Sequence, residues 1–518
     1  MRCGGRRRQG PRGLPVGGRT GTGPGRPSDR PGLAAGGGVV SVPRYDATLA
    51  AADLEAAGLL DRVLVAHHGV LAPPDDAVPG GGFSGAGLDS RHLRPGQLFV
   101  ALAGARADGC DFAPAALAAG HWILTRTADD PAQHPLMGSS AAPGTGTLLS
   151  PDPVAALGCL ARCWRQRHDV PTVAVTGTNG KTTTKDFLAA LLGGAGSVLA
   201  TRGNLNNHLG VPLTLLSLTP DHSRAVVEMG ASAVGEIAAL AQLARPSVGV
   251  ITNAAPAHLA QFGDLDGVIA GKGELVASLP AHGTAVLNAD SPGFDTWCGL
   301  TSARVVSWGQ TRGEHRWSWR ATGRGGELEL DGQTWAVPLP GEHNGANLVA
   351  AILAGQALGL DEAELRRGLA AFTASPHRGL VLIVDGRTVL DDSYNANPRS
   401  VVAAARALCA LAGDGRTVVV LGHMGELGDE SVEIHLQTGR ELATVGVDHL
   451  VTVGAPARLM NEGFQACGGE GSHCSDQDAA AAWLAANTAA GDRVLVKGSR
   501  SAAMETVIES FAAISGKS

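Results

Sequence analysis

The chain has 518 residues, 44% of them hydrophobic and 17% charged, with a formal net charge of −7. That length allows roughly three domains of about 150 residues, and the apolar fraction suffices for sizeable cores. The acidic balance excludes a general polyanion-binding role, which needs a basic surplus, and no apolar run reaches the roughly 18 residues of a membrane span. The eight cysteines form no C-x-x-C and no zinc spacing. Cys159 and Cys163, one helical turn apart, read as core-facing thiols. Scattered thiols suit a reducing, cytoplasmic setting.

Residues 1–44 are rich in Gly, Arg and Pro and lack the apolar stretch of a secretory signal, so a disordered tail is expected there. A first block, 45–151, holds Asp89-Ser90-Arg91, a turn at Pro95-Gly96 and a strand over 98–102, and ends in a loose stretch at 138–150. A second block, 152–375, opens with a helix over 154–167. A β-branched strand then leads into TGTNGKT (176–182). A strand, a loop of free backbone N–H groups and a helix N-terminus make a cradle for phosphates. Gly177, Thr178, Asn179, Gly180 and Thr183 supply the loop, Lys181 a charge and the Thr182 hydroxyl a ligand for Mg²⁺. A strict phosphate-loop pattern has Gly where this chain has Val175. No N-K-x-D motif for guanine follows, which favours ATP.

Two further buried runs, 225–228 and 248–252, read as strands. The first ends in Glu228, an oxygen donor suited to Mg²⁺; the second leads into Asn253 and then His258, which beside Asn253 is read as a metal or phosphate contact. In an open parallel sheet ligands sit beyond the carboxyl ends of strands, so all three strand ends converge. Lys272 looks like an ordinary helix-surface lysine. Asn344, with Asn347 three residues on, reads either as a helix cap or as a reader of a base edge or phosphate.

In a third block, 376–518, strands at 380–385, 388–391, 417–421, 449–453 and 493–496 alternate with helices at 399–411, 432–445, 478–488 and 502–514. The pattern implies a mostly parallel, doubly wound unit. DDSYNANP (391–398) spells a turn. Yet Tyr394 is one of only two tyrosines, which suggests a base platform beside a ribose-binding carboxylate. VKGSR (496–500) runs from a strand into a helix start. Lys497 and Ser499 there would form a second anion site, or Ser499 simply a cap.

Together these motifs resemble the Mur ligase family, and within it the MurF type. Besides those above, the resemblance rests on EMG (228–230), ITNAAPAHL (251–259), KGE (272–274), GEHNGAN (341–347) and LGHMGELG (421–428), and covers essentially everything after the tail. It implies an α/β fold of three domains: an N-terminal UDP-substrate domain, a central P-loop ATPase domain with a mostly parallel sheet and a C-terminal Rossmann-like domain. It implies ATP-dependent joining of D-alanyl-D-alanine to UDP-N-acetylmuramoyl-tripeptide through an acyl phosphate, giving the pentapeptide precursor of peptidoglycan. Thr182 and Glu228 would hold one Mg²⁺, and His258 with a carbamylated Lys272 a second. Asn344 and Asn347 would face the nucleotide, Arg378 its phosphates, Asp392 the ribose and Tyr394 the base. Lys181, His258, Lys272 and Arg378 form the implied catalytic set, and Ser90 and Arg91 would meet the UDP-sugar. Ala260, His423 and Cys110 depart from the family pattern.

The expected protein is thus a cytoplasmic monomer with small-molecule partners, no nucleic acid and no membrane span. Its competitors are a sister amino-acid-adding ligase, against which DDSYNANP weighs, a folylpolyglutamate synthase-like ligase and a non-catalytic nucleotide switch.

Overall fold

The computed structural model describes residues 44–74, 81–104, 107–128, 134–257 and 259–516. The expected tail to residue 43 and His258 therefore lie outside the described residues, as does the side chain of Ala260. The architecture is the expected α/β one, built on three large sheets. The first runs, in spatial order, Val70–Ala72, Arg62–His67, Gly146–Ser150, Trp122–Arg126, Leu98–Val100 and Ala86–Gly87. The strand expected over 98–102 forms only to Val100.

The second sheet has nine strands: Val198–Ala200, Arg224–Glu228, Thr172–Thr176, Val248–Ile251, Thr284–Asn288, Arg304–Gly309, His315–Thr322, Gly325–Leu330 and Gln333–Val337. It is parallel as far as His315–Thr322 and antiparallel beyond. Thr172–Thr176 is buried on both faces, as β-branched strands of a covered parallel sheet are. Its alternation splits the core. Val173 and Val175 join the cluster under the helices Lys181–Gly193 and Glu342–Ala357, while Ala174 joins the opposite one. The antiparallel extension was not anticipated. Glycines and charged residues break its pattern, yet Trp317, Leu328, Leu330, Trp335 and Val337 face inward in alternation.

The third sheet runs Leu380–Val384, Arg387–Asp391, Arg493–Lys497, Thr417–Leu421, His449–Val453 and Gly471–Cys474, with only the first pair antiparallel. Register sets Asp391 beside Val496 and Leu421 beside Lys497. The loops after these three strands, DDSYNANP, KGSR and GHMG, thereby share one edge. The last expected helix starts later, as Glu505–Ser515, after a single 3-10 turn.

The two joints between sheets differ. One apolar cluster runs without a break from Tyr45, Ala47 and Leu54 into Leu157, Leu160 and Val227. Tyr45 stacks on Trp164, with ring centroids 4.9 Å apart, and Arg167 pairs with Asp53 at 2.8 Å. The clusters around the third sheet contain no residue before Val389 among their buried members.

Val175, where a strict phosphate-loop pattern has Gly, is a fully buried strand residue. Val175→Gly removes that side chain and loosens the backbone, and is expected to destabilise the protein by about 3 kcal/mol. The midpoint of urea unfolding measures this; an unchanged midpoint would show that the position tolerates glycine.

Candidate functional site

The strand order places Thr172–Thr176 between Arg224–Glu228 on one side and Val248–Ile251 on the other, and the chain visits the two sides in turn. This is the switch point where open sheets leave a crevice. Glu228 is in register with Val175 and Ile251 with Thr176, so three strand ends meet there, as expected.

The phosphate loop is braced by the next strand end. Thr178 N–H donates to the Asn253 carbonyl (2.9 Å) and Asn179 N–H to Asn253 Oδ1 (3.1 Å). Asn253 Nδ2 and Thr252 Oγ1 both donate to the Asn179 carbonyl, at 3.1 and 2.6 Å. Asn253 thus spends its amide on the loop's backbone. Gly180, with φ +82°, precedes the helix Lys181–Gly193, and no side chain caps that helix. A Cβ at Gly180 would lie 2.1 Å from Asn347 Oδ1. Lys181 Nζ donates to the carbonyls of Gly177 (2.8 Å) and Thr178 (3.1 Å). Desolvation holds its pKa below the usual value; the Glu228 carboxylate pulls it up again and the Arg378 charge adds to the depression.

Glu228 is almost fully buried. Its Oε1 accepts from Asn206 Nδ2 at 2.8 Å, while its Oε2 is buried with no partner. An unpaired buried carboxylate oxygen is costly, and Thr182, also buried, opens the helix that starts at this loop. This donor pair fits a hard divalent cation. No group of three or more His, Cys, Asp or Glu able to hold a metal occurs among the described residues.

Lys272 corrects the sequence reading of a surface residue, because it is 3% exposed. It lies in the helix Leu265–Ala277, its ammonium 5.2 Å from the centroid of the Phe262 ring. Burial, with the charge of Lys181 added, pushes the amine down to about 7, against the opposing pull of Glu236 and Glu274. Glu274 accepts from the N–H groups of Gly235 and Ala238 (the latter at 2.9 Å), capping the helix Glu236–Ala244.

Asn344 is not a helix cap. Gly341 holds that position, and Asn344 and Asn347 are buried within the helix Glu342–Ala357. Asn344 Nδ2 donates to the Pro340 carbonyl (2.8 Å), and Asn347 Nδ2 to Asn344 Oδ1 (3.2 Å). Asn347, which lies against Gly180, brings this pair to the loop.

Across the loop stands the edge of the third sheet. Together they enclose a cleft of about 1580 Å³. The loop residues 178–183, Glu228, Asn344, Asn347, Arg378, Asp392, Tyr394, Lys497 and Ser499 all line it. Asn397, which caps the helix Pro398–Ala410, donates its amide to Asn179 Oδ1 at 2.6 Å. Lys497, also buried, pairs with Asp392 at 2.5 Å and donates to the Asn395 carbonyl at 2.7 Å. The Tyr394 ring carries the Arg378 guanidinium 3.9 Å from its centroid. Ser499 makes no side-chain cap; its hydroxyl lies 3.1 Å from Ser501 Oγ. His423 reaches the same Ser501 at 3.0 Å.

Ser90 and Arg91 stand apart from this cleft. They form a 3-10 turn in which Arg91 grips Asp89 through its guanidinium (2.7 and 2.9 Å) and its backbone N–H (3.0 Å). These bonds hold the Asp89 carboxyl well below the usual range. Cys110 also lies in the first block, its sulfur 2.9 Å from Thr125 Oγ1. Sequence reasoning passed over Asn204, Asn206, Asn207 and His208, which line the cleft beside Glu228. Four asparagines or histidines in the five residues 204–208 were the available signal.

Comparison with known proteins places these features in a wider setting. The family model described as "Mur ligase middle domain" matches residues 175–355, "Mur ligase, glutamate ligase domain" residues 378–500, and "Mur ligase family, catalytic domain" residues 83–161. The chain is 38% identical over 437 residues to the UDP-N-acetylmuramoyl-tripeptide–D-alanyl-D-alanine ligase of Escherichia coli K12, an alignment covering 82% of this chain and 92% of that protein. Against the Bacillus subtilis protein of that name the identity is 31%, with the same coverage. Among solved structures it resembles MurF from Acinetobacter baumannii, with a TM-score of 0.76, 29% identity and coverage of 91% and 100% of the two chains. It also resembles the MurF ligase of Thermotoga maritima in complex with ADP, with a TM-score of 0.70, 28% identity and coverage of 83% and 98%.

Gly180→Ala tests the cradle. A methyl there meets Asn347 and must adopt a left-handed backbone, so ADP affinity by calorimetry is expected to fall roughly 10-fold or more. Undiminished affinity would remove the loop from the nucleotide site.

Proposed function

The chain belongs to the Mur ligase family, and we propose that it joins D-alanyl-D-alanine to UDP-N-acetylmuramoyl-tripeptide, with ATP converted to ADP and phosphate. The observation that carries this reading is the contact of the third sheet with the phosphate loop. Asn397, from DDSYNANP, bonds Asn179, so the motif that distinguishes this ligase type sits on the nucleotide cradle.

The chemistry runs in two steps. A carboxylate oxygen of the tripeptide attacks the γ-phosphorus; the bond from that phosphorus to the β,γ-bridging oxygen breaks and ADP leaves. The amine of D-alanyl-D-alanine then attacks the acyl carbonyl. The amide C–N bond forms, the C–O bond to phosphate breaks, and the amine's proton passes to phosphate or water. In the first step two anions approach each other, so catalysis rests on positioning and on cations placed beforehand.

The loop Gly177–Thr183 would hold the β- and γ-phosphates through backbone N–H groups, with Lys181 and Arg378 as the neutralising charges. Asn344 and Asn347 would meet the nucleotide and Asp392 the ribose, its carboxylate steadied by Lys497. Ser499 and Lys497 would bound the site of the second substrate, and Ser90 and Arg91 would meet the UDP-sugar. Thr182 and the unpaired Oε2 of Glu228 would hold Mg²⁺, which supplies charge neutralisation at the phosphoryl oxygens. As an ammonium Lys272 would repel a second ion. With its amine lowered to about 7 a large neutral fraction can take up CO₂, losing a proton and becoming an anionic ligand to act with His258.

Phosphate release is expected only when ATP, UDP-N-acetylmuramoyl-tripeptide and D-alanyl-D-alanine are all present. Release that ignores the dipeptide would overturn the assignment. Lys272→Ala is expected to lose about 100-fold or more in turnover, with partial rescue by added formate or acetate. Near-normal turnover in that variant would remove Lys272 from the site.

A further inference from the structure

Arg378 occupies a peculiar stretch of backbone. Its neighbours His377 and Gly379 have φ of +63° and +72°, so the segment joining the second and third sheets kinks on either side of it. A non-glycine residue held left-handed needs support from its surroundings. His377 has it. Its Nδ1 meets Asp391 Oδ2 at 2.9 Å, and its carbonyl accepts from Tyr394 N–H at 3.1 Å. Asp391 is itself fixed, its Oδ1 accepting from Ser393 Oγ at 2.6 Å.

These bonds lock the connecting segment to the loop that bears Tyr394. The result is a guanidinium 3.9 Å from the Tyr394 ring centroid, which is van der Waals contact. Arg500, held by Glu505 at 2.5 Å, lies 5.9 Å from the same centroid. A base stacking on the face that Arg378 covers would have to displace a cation from its π-partner. The Arg378 side chain is long and only half-buried, with four rotatable bonds to order if nothing holds it.

We infer that Tyr394 is a positioning residue: its ring fixes the Arg378 guanidinium beside the phosphate loop, and it acts on the nucleotide through Arg378 and not as a platform for the base. The inference rests on the reading of Arg378 as a phosphate contact. The ring face is what matters, so phenylalanine can replace tyrosine. A flat guanidinium can lie parallel to the ring and pack along its whole face, whereas an ammonium attracts it only as a point charge.

The test is kcat/KM for ATP with both peptide substrates saturating, supported by inhibition with tripolyphosphate, a probe that carries no base. Tyr394→Phe is expected to stay within about twofold of the parent, and Tyr394→Leu to fall roughly 10-fold, as loss of a partly desolvated cation–π contact implies. Tripolyphosphate should weaken in parallel, while adenosine binding stays unchanged. Arg378→Gln is expected to cost about 100-fold, and adding Tyr394→Leu to it should cost nothing more. Additive losses in the Arg378→Gln background, or a loss confined to adenosine binding, would overturn the inference. An Arg378→Gln enzyme of parental kcat/KM would instead overturn the phosphate reading of Arg378 itself.

Discussion

The cleft takes its shape from the bracing of residues 177–180 by residues 252–255. A loop that offers backbone N–H groups to an anion cannot satisfy them within itself, so its carbonyls and side chains must be anchored from outside. Thr252, Asn253 and Ala255 do this from the neighbouring strand end. Because the two strands are paired in register, the sheet itself sets the loop's position. Asn347 completes the enclosure from the other side, against a glycine that leaves no room for a methyl.

Charge organises the rest of the cleft. Lys181, Arg378, Lys497 and Arg500 line it; among the described residues Lys497 pairs with Asp392 and Arg500 with Glu505, while no ion pair is seen for Lys181 or Arg378. Glu228 keeps one oxygen unpaired. On the proposed reading, a triphosphate with a divalent cation would balance these charges, as in a preorganised site. The repulsion between Lys181 and Lys272 belongs to the same balance. Converting one of the two cations to an anion would turn that repulsion into attraction.

Much of this was legible from residue order. The strand, loop and helix of TGTNGKT, the carboxylate at Glu228 and the alternation of the third block each rest on local patterns, and the sheet assembled them as parallel pairing requires. Other features were not. Lys272 has helical spacing that suits either face, and its burial comes from packing beside Phe262, whose ring lies 2.6 Å from where a Cβ on Gly271 would sit. The strands over 315–337 carry glycines and charges that hide their alternation. Asn344 has the composition of a cap, but Gly341 with φ +96° already starts the helix. The use of Tyr394 depends on Arg378, a residue sixteen positions away that no periodicity links to it.

The two joints between the sheets carry a kinetic consequence. The first and second sheets share a continuous apolar core, so separating them would expose it to water. The second and third keep separate cores and are linked by one covalent crossing and a few polar contacts. Relative motion is therefore expected to concentrate at the second joint, the one the cleft spans. On the proposed reading, a hinge there would gate the entry and exit of ATP and ADP, and the surface around Ser90 and Arg91, which lies outside the cleft, would stay accessible whatever its position.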